Sequence, residues 1–227
     1  MNVIEIQNAH KIYEGVVPVH AVDGVNLSIS RGEFTAIVGP SGSGKTTLLN
    51  LIGGLDKPNS GSITIDGVEI GGLKSSKLID FRLWNIGFVF QAYNLIPVLS
   101  AKENVKFIME LQGKSSAECE DRAMSLLTSV GLADRADSRP SKLSGGQQQR
   151  VAVARALASK PKFILADEPT ANLDSATTAN LLEIMENLNK EENITFVFST
   201  HDKRVVDKAR RVITIEDGKI VSDEKRI

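Results

Sequence analysis

Apolar residues along the chain switch between two rhythms. Short apolar or alternating runs at Val3–Ile6, Val25–Ile29, Phe34–Val38, Ser62–Ile65, Phe163–Ala166, Thr195–Ser199 and Val212–Glu216 predict β-strands, several closed by Gly, Ser or Asp-Gly turns. Three- and four-residue spacing predicts helices at Thr46–Ile52, Asn104–Leu111, Glu118–Val130 and Ala176–Leu188. In the second of the middle pair, Ala123, Leu126, Leu127 and Val130 form one apolar stripe, expected to pack into a core. Strands alternate with helices at both ends of the chain, which predicts an α/β fold. From about residue 92 to 158 only the helical rhythm remains. The expected organisation is one domain over 1–227: an α/β core from 1–91 and 159–227, with an α-helical subdomain inserted at about 92–158. Val212–Glu216 is expected to be the last strand, and the charged end Ser222–Ile227 to fray.

Composition narrows the choices. The 227 residues are 41% hydrophobic and 24% charged, as in ordinary globular chains, so disorder and collagen-like repeats are excluded. Twenty-seven basic and 28 acidic residues leave a net charge of −1, so no global field draws in nucleic acid or an anionic membrane. Cys119 is the single cysteine, which rules out an internal disulfide and a cysteine-rich zinc site. No apolar run approaches the roughly 20 residues of a bilayer span. The first ten residues carry Glu5 and lack a basic then apolar leader, so no signal peptide is expected. Any membrane role would run through a partner.

The chemistry begins where Phe34–Val38 ends. Gly39-Pro40-Ser41-Gly42-Ser43-Gly44-Lys45-Thr46 fits the phosphate-loop pattern G-x-x-x-x-G-K-[ST], followed by Thr47. Glycines let the backbone curl so that successive N–H groups face phosphate oxygens, and the following helix adds its positive end. Lys45 can reach the β- and γ-phosphates, and the Thr46 hydroxyl can ligate Mg²⁺. The loop by itself fits an ATPase, a GTPase or a small-molecule kinase. A second apolar strand, Phe163–Ala166, exits into Asp167 and Glu168. Ligands in open α/β sheets sit at the carboxyl ends of strands, so Asp167 is expected beside Thr46 as a Mg²⁺ partner. Glu168 is placed to deprotonate a water in line with the γ-phosphate.

Leu143-Ser144-Gly145-Gly146-Gln147 opens a helix and forms a second anion site at a helix N-terminus. A capped helix start accounts for Ser144, but on sequence grounds not for two glycines and a glutamine. With the phosphate loop and Asp167–Glu168 in this order, the chain resembles the nucleotide-binding subunit of an ABC transporter over essentially its whole length. The resemblance implies a P-loop NTPase cassette: a RecA-like core, an antiparallel β subdomain and an inserted α-helical subdomain. It implies ATP as substrate, Mg²⁺ as cofactor, and a head-to-tail homodimer with two ATP molecules sandwiched between subunits. Ser144, Gly146 and Gln147 of one subunit would then cover the γ-phosphate held by the other. By the same resemblance, Tyr13 stacks on adenine and Gln91 senses Mg²⁺ and the attacking water. His201 bonds the γ-phosphate, and Asn172 and Asp174 of Ala171-Asn-Leu-Asp174 cross the dimer interface with Ser144 and Gly145. Ala171 stands where the family often has Ser or Gly.

Ser144 follows Lys45 by 99 positions, too few for the long coiled coil of chromosome-structure relatives, and there is one cassette rather than the two of translation-factor relatives. Val16–Val25, which is expected to lengthen the gap between the first strands, Gly53–Gly61, Ile86–Pro97 and Ala166–Asp174 resemble the lipoprotein-releasing and macrolide-exporter branch. That branch implies an export ATPase at the cytoplasmic face of the cell membrane, held there by a permease with a large extracytoplasmic domain. The alternative within the branch is an ATPase of a non-transport membrane complex, of cell-division or signalling type. Ala92–Leu99, apolar with Tyr93 exposed, is expected to form the groove for a permease coupling helix, and Gln91–Pro97 to move the helical lobe.

Overall fold

The computed structural model describes residues 1–226. Two sheets organise it. Strands β1 (Asn2–Tyr13), β2 (Val19–Ser30), β4 (Ser60–Ile65) and β5 (Val68–Glu69) form an antiparallel sheet in the order β2-β1-β4-β5. The second sheet has the order β10-β9-β3-β8-β7-β6, built from β3 (Phe34–Val38), β6 (Ile86–Val89), β7 (Phe163–Asp167), β8 (Thr195–Ser199), β9 (Arg211–Glu216) and β10 (Lys219–Lys225). Its pairs are parallel except β9 with β10.

The short runs form central strands because both of their faces are covered. Phe34, Ile164, Ala166, Phe196 and Phe198 face one core, where Phe34 and Phe198 meet at 4.7 Å between ring centroids. The alternate residues Ile37, Phe163, Leu165 and Val197 face a second core, shared with the antiparallel sheet and helix α1 (Lys45–Ile52). Helices α3 (Ala101–Leu111), α4 (Ser116–Ser129) and α5 (Gly145–Ala158) lie in the chain between β6 and β7 and pack on the first core. Each starts at a serine whose side chain and partner three residues on cap one another: Ser100 with Glu103, Ser115 with Glu118, Ser144 with Gln147. The stripe of Ala123, Leu126, Leu127 and Val130 is buried. Helices α2 (Ser75–Asn85), α6 (Ser175–Glu192) and α7 (Lys203–Lys208) complete the described residues, with short 3₁₀ turns at Ala133–Arg135 and Pro140–Lys142.

Three sequence expectations are corrected. The strand at 212–216 is not the last, and of the charged end expected to fray, Ser222–Lys225 is strand: Lys219–Lys225 pairs antiparallel with β9, while Ile227 lies outside the described residues. Arg211 fastens β10. This side chain, 9% exposed, donates to Asp223 of β10 at 2.7 Å and to Glu33 at 2.9 Å, so charges hold the edge strand where apolar alternation is absent. The first two strands run much further than Val3–Ile6 and Val25–Ile29. Register shifts along β1 and β2 break the two-residue alternation that would have revealed their length. For the same reason the connection between them is only residues 14–18, and most of Val16–Val25 is strand. Among the described residues no helix is long and apolar enough to cross a membrane.

Burial alone would raise the Glu33 carboxyl. The Ser30 amide, Arg211 and the Thr35 hydroxyl outweigh it and hold the group below its ordinary value. Arg211 holds Asp223 low in the same way, against partial burial. Both contributions are therefore present above the ordinary carboxylate pKa near 4 and are lost as pH falls through the lower folded values. Arg211→Met should cost roughly 2–3 kcal/mol at neutral pH, because Glu33 keeps its half-buried charge without its cationic partner. It should also flatten the loss of stability between about pH 5 and pH 3; denaturant titrations at several pH values read both effects.

Candidate nucleotide site

The phosphate loop spans the turn from β3 into α1, and its glycines are fixed by close backbone neighbours. Gly39 has φ +150°, and a Cβ there would lie 2.0 Å from the Ile215 carbonyl oxygen. Gly44, at φ +102°, would meet the Ala21 carbonyl at 1.9 Å. The loop is thus clamped between the end of β9 and the start of β2, and only glycine allows the approach. Lys45 is buried and folds back over the loop, donating to the carbonyls of Gly39 at 2.9 Å and Pro40 at 2.8 Å.

A cavity of about 710 Å³ opens above the loop. Gly39, Pro40, Ser41, Gly42, Gly44, Lys45, Thr46 and Thr47 form its floor, Tyr13, Val19 and Ala21 one end, and Gln91, Glu168, Ala171 and His201 the other. Ser43 is the loop residue that does not reach it. Its side chain is buried beneath the loop without a hydrogen-bond partner, and its carbonyl accepts from the Gly218 amide.

Thr46 donates its hydroxyl to the Asp167 carboxylate, at 3.0 Å to Oδ1 and 3.2 Å to Oδ2. Glu168 follows in a left-handed conformation, φ +45°, with its amide bonded to the Ser199 carbonyl at 2.9 Å. That turn sends its side chain across to the end of β8. There Oε1 lies 2.7 Å from His201 Nδ1, and Oε2 accepts from the Thr200 hydroxyl at 3.3 Å. A few residues on, Asp202 is held down to about 2 by Arg204, with the Thr170 hydroxyl adding a hydrogen bond. It caps α7 and fixes the loop that carries His201.

Eight expected site residues do not line this cavity: Ser43 beneath the loop, Asp167 behind its partner Thr46, and Ser144, Gly145, Gly146, Gln147, Asn172 and Asp174. A capped helix start, expected to account for Ser144 alone, accounts for Gln147 as well, and both glycines meet close neighbours within the chain. Gln147 is half of the capping box with Ser144, its side-chain oxygen accepting from the Ser144 amide at 2.9 Å. A Cβ on Gly146 would come within 2.1 Å of the Thr177 methyl, and one on Gly145 within 2.8 Å of the Tyr93 hydroxyl. Asp174 caps α6 by accepting from the Thr177 amide and hydroxyl, and Asn172 donates to the Gln91 carbonyl at 3.1 Å. Close helix packing needs glycine as much as phosphate binding does, and sequence spacing does not separate the two.

The segment Ala92–Leu99 is also corrected. Tyr93 is half-buried rather than exposed, its ring lying against Gly145, and Leu95 packs on the first core. Tyr93 and Asn94 both have positive φ, and Arg155 of α5 donates to both of their carbonyls, at 2.9 Å for Tyr93. Asn104, fully buried, binds both the amide and the carbonyl of Ile96. An apolar groove of about 480 Å³ does lie here, but its walls come mainly from α2, α3 and β6: Ile79, Leu83, Phe88, Phe107 and Ile108. Of Ala92–Leu99, Asn94 and Ile96 reach it. Sequence reading passed over Arg155, Asn104 and Gln149, whose buried amide donates to the Pro169 carbonyl at 2.8 Å. Each is a polar residue in an otherwise apolar helical stripe, and that was the available signal.

A phosphate loop joined to a threonine–aspartate pair and a glutamate–histidine pair, all at the carboxyl edge of a parallel sheet, defines a P-loop nucleotide-hydrolysing cassette. The family model described as ABC transporter matches residues 22–171, and the chain belongs to this family of ATP-binding ATPase domains. It is 48% identical over 225 residues to an uncharacterized ABC transporter ATP-binding protein of Thermotoga maritima, covering 99% of this chain and 96% of that one. It is 46% identical over 223 residues to the macrolide export ATP-binding/permease protein MacB of Syntrophobacter fumaroxidans, covering 97% of this chain. The chain spans 31% of that protein and less than half the length of several other curated relatives. The ATP-binding cassette MJ0796, solved as a dimer in a post-hydrolysis state with ADP and Pi, superposes with a TM-score of 0.90 at 44% identity, covering 98% of both chains.

Gly146→Ala should destabilise the fold by ~1–3 kcal/mol through overpacking on Thr177. Thr177→Ser removes the obstructing methyl and keeps the hydroxyl on Asp174, so the double variant should recover most of that stability in a denaturant titration.

Proposed function

We propose that this ATPase powers an export-type transporter through a permease with a large extracytoplasmic domain, which holds it at the cytoplasmic face of the membrane. The observation that carries the catalytic part is the convergence of Lys45, Thr46 and the Glu168–His201 pair on one cavity, with Asp167 hydrogen-bonded to Thr46 at its edge. The export part is supported by the likeness to MacB, whose name joins an ATP-binding and a permease function in a chain about three times this length.

In this reading adenine lies against Tyr13 and the triphosphate runs along Gly39–Thr47, with Lys45 exchanging its loop carbonyls for the β- and γ-phosphates. The Thr46 hydroxyl and the Asp167 carboxylate, with Gln91 in the same cavity, are hard oxygen donors that suit Mg²⁺. When bound, the ion would neutralise charge on the β- and γ-phosphates. Glu168 accepts the proton of the attacking water, and His201, 2.7 Å away, orients that carboxylate and holds the γ-phosphate. Phosphoryl transfer is positioning plus electrostatics, so a site still open to water would be slow. Closure comes from a second copy, whose Ser144, Gly146 and Gln147 cover the γ-phosphate while Gly145, Asn172 and Asp174 line the contact. Support for this trans role is their position outside the cavity of their own chain, together with the dimeric state of MJ0796. The apolar groove walled by Ile79, Leu83 and Phe107 receives the permease's cytoplasmic segment, and Arg155 ties that groove to α5.

Glu168→Gln should keep ATP affinity and lose turnover by ~10²–10⁴-fold, the range for removing a general base. Lys45→Ala should weaken ATP binding itself, by ~10–100-fold. A phosphate-release assay paired with nucleotide titration separates the two, and equal loss of affinity in both variants would refute the assigned roles. Ile79→Asp should cut co-purification with the permease about tenfold if the groove is the docking surface.

A further inference from the structure

The end of β1 is fastened to the loop that trails the phosphate-loop helix. Helix α1 ends at Gly53, and the chain then turns through Leu55, Asp56, Lys57, Pro58 and Asn59 into β4. The Asn59 side chain accepts from the Ile12 amide at 2.8 Å, and the Asn59 amide donates to the His10 carbonyl at 2.8 Å. Lys11 donates to Asp56 Oδ1 at 2.7 Å and to the Lys57 carbonyl at 2.9 Å. The Tyr13 hydroxyl donates to Asp56 Oδ2 at 2.9 Å. Asp56 is therefore shared: one oxygen holds Lys11 and the Lys57 amide, the other holds Tyr13.

The ring of Tyr13 is held from a second direction. The Lys11 ammonium sits 5.0 Å from the ring centroid, within cation–π range. Lys11 does not line the nucleotide cavity, whereas Tyr13 does. The lysine thus backs the ring without entering the space for the base. Tyr13 is 42% exposed and stands at a strand end, where an unrestrained aromatic side chain would sample several rotamers. Ordering such a side chain at the moment of binding weakens affinity; ordering it beforehand removes that penalty.

We infer that Lys11 and Asp56 are positioning residues of the nucleotide-base platform, locking the Tyr13 ring in register with the phosphate loop so that one ATP meets both grips already spaced. The inference rests on the reading that Tyr13 stacks on the base. Asp56 follows the phosphate-loop helix and Tyr13 ends β1, so the carboxylate physically links the Tyr13 end of the cavity to the helix that carries the phosphate loop. Burial works against the charge on Asp56, but Lys11, the Lys57 amide and the Tyr13 hydroxyl outweigh it and keep the carboxyl below its usual range. The Asp56 carboxylate is therefore charged at neutral pH, and the lock is constitutive rather than a switch.

The test compares ATP with tripolyphosphate, which has the phosphates and no base, by calorimetric titration of the full chain. Asp56→Asn and, independently, Lys11→Met should each weaken ATP binding ~3–10-fold and leave tripolyphosphate binding within twofold. Tyr13→Phe keeps the ring and loses the hydroxyl, so it should produce a similar loss. Asp56→Asn added to Tyr13→Phe should then weaken ATP by less than Asp56→Asn does alone, because the Tyr13–Asp56 contact is already broken and only the Lys11 contact remains to be lost. Lys11→Met carries the same test should Asp56→Asn fail to fold. Equal weakening of ATP and tripolyphosphate, fully multiplicative losses, or no loss at all would each overturn the inference. Tyr13→Ala separates the two levels. If it leaves ATP affinity unchanged, base stacking itself is wrong; if it weakens ATP while Asp56→Asn and Lys11→Met do not, only the positioning role falls.

Discussion

The cavity depends on the parallel register of three central strands. Ser199 of β8 pairs with Ile37 of β3 on one side and Asp167 of β7 on the other, so all three strands end at one level. Two further backbone bonds carry that alignment past the strand ends: the Thr200 amide to the Ile37 carbonyl at 3.0 Å, and the Glu168 amide to the Ser199 carbonyl at 2.9 Å. A shift of one residue would turn each side chain to the opposite face. It would place Phe196 and Phe198 where Val197 packs and carry Asp167 away from Thr46. Burial of both faces makes such a slip costly, so the hydrophobic core fixes the distances on which the chemistry relies.

Helix α5 is the second organising element. Its first turn packs Gly146 on Thr177 at the start of α6, and Gln149 reaches the loop after Glu168. Arg155 near its end holds the two left-handed residues Tyr93 and Asn94. One helix therefore begins within Leu143–Gln147 and touches the loop after β7 and the segment leading from β6 into the helical region. In the proposed cycle a push on the groove would reach the trans-acting Ser144 through this helix rather than through a flexible chain. The half-buried Arg155 guanidinium meets backbone carbonyls there, an arrangement that holds a loop's shape without fixing its side chains.

Much of this was legible beforehand, for identifiable reasons. The phosphate loop could be read because a clamped turn demands glycine at Gly39 and Gly44, and buried strands flag themselves by unbroken apolar runs such as Phe163–Ala166. Asp167 and Glu168 could be read because charge follows directly on such a run. What stayed hidden depends on contacts distant in sequence. β10 is held by the Arg211–Asp223 pair rather than by periodicity, and the full length of β1 is masked by register shifts. The packing of Gly145 and Gly146 and the capping by Gln147 emerged only with Tyr93, Thr177 and Ser144 in place. The lock on Tyr13 joins residues 43 positions apart.

The central claim is that one chain supplies only half of each working site. It is tested most directly by the mass of the Glu168→Gln protein in solution, measured by light scattering with and without MgATP. The expected result is the single-subunit mass of 24.6 kDa without nucleotide and twice that mass when ATP is bound and cannot turn over. A single-subunit mass at saturating MgATP would contradict the shared site and, with it, the role of Ser144 on a partner's phosphate.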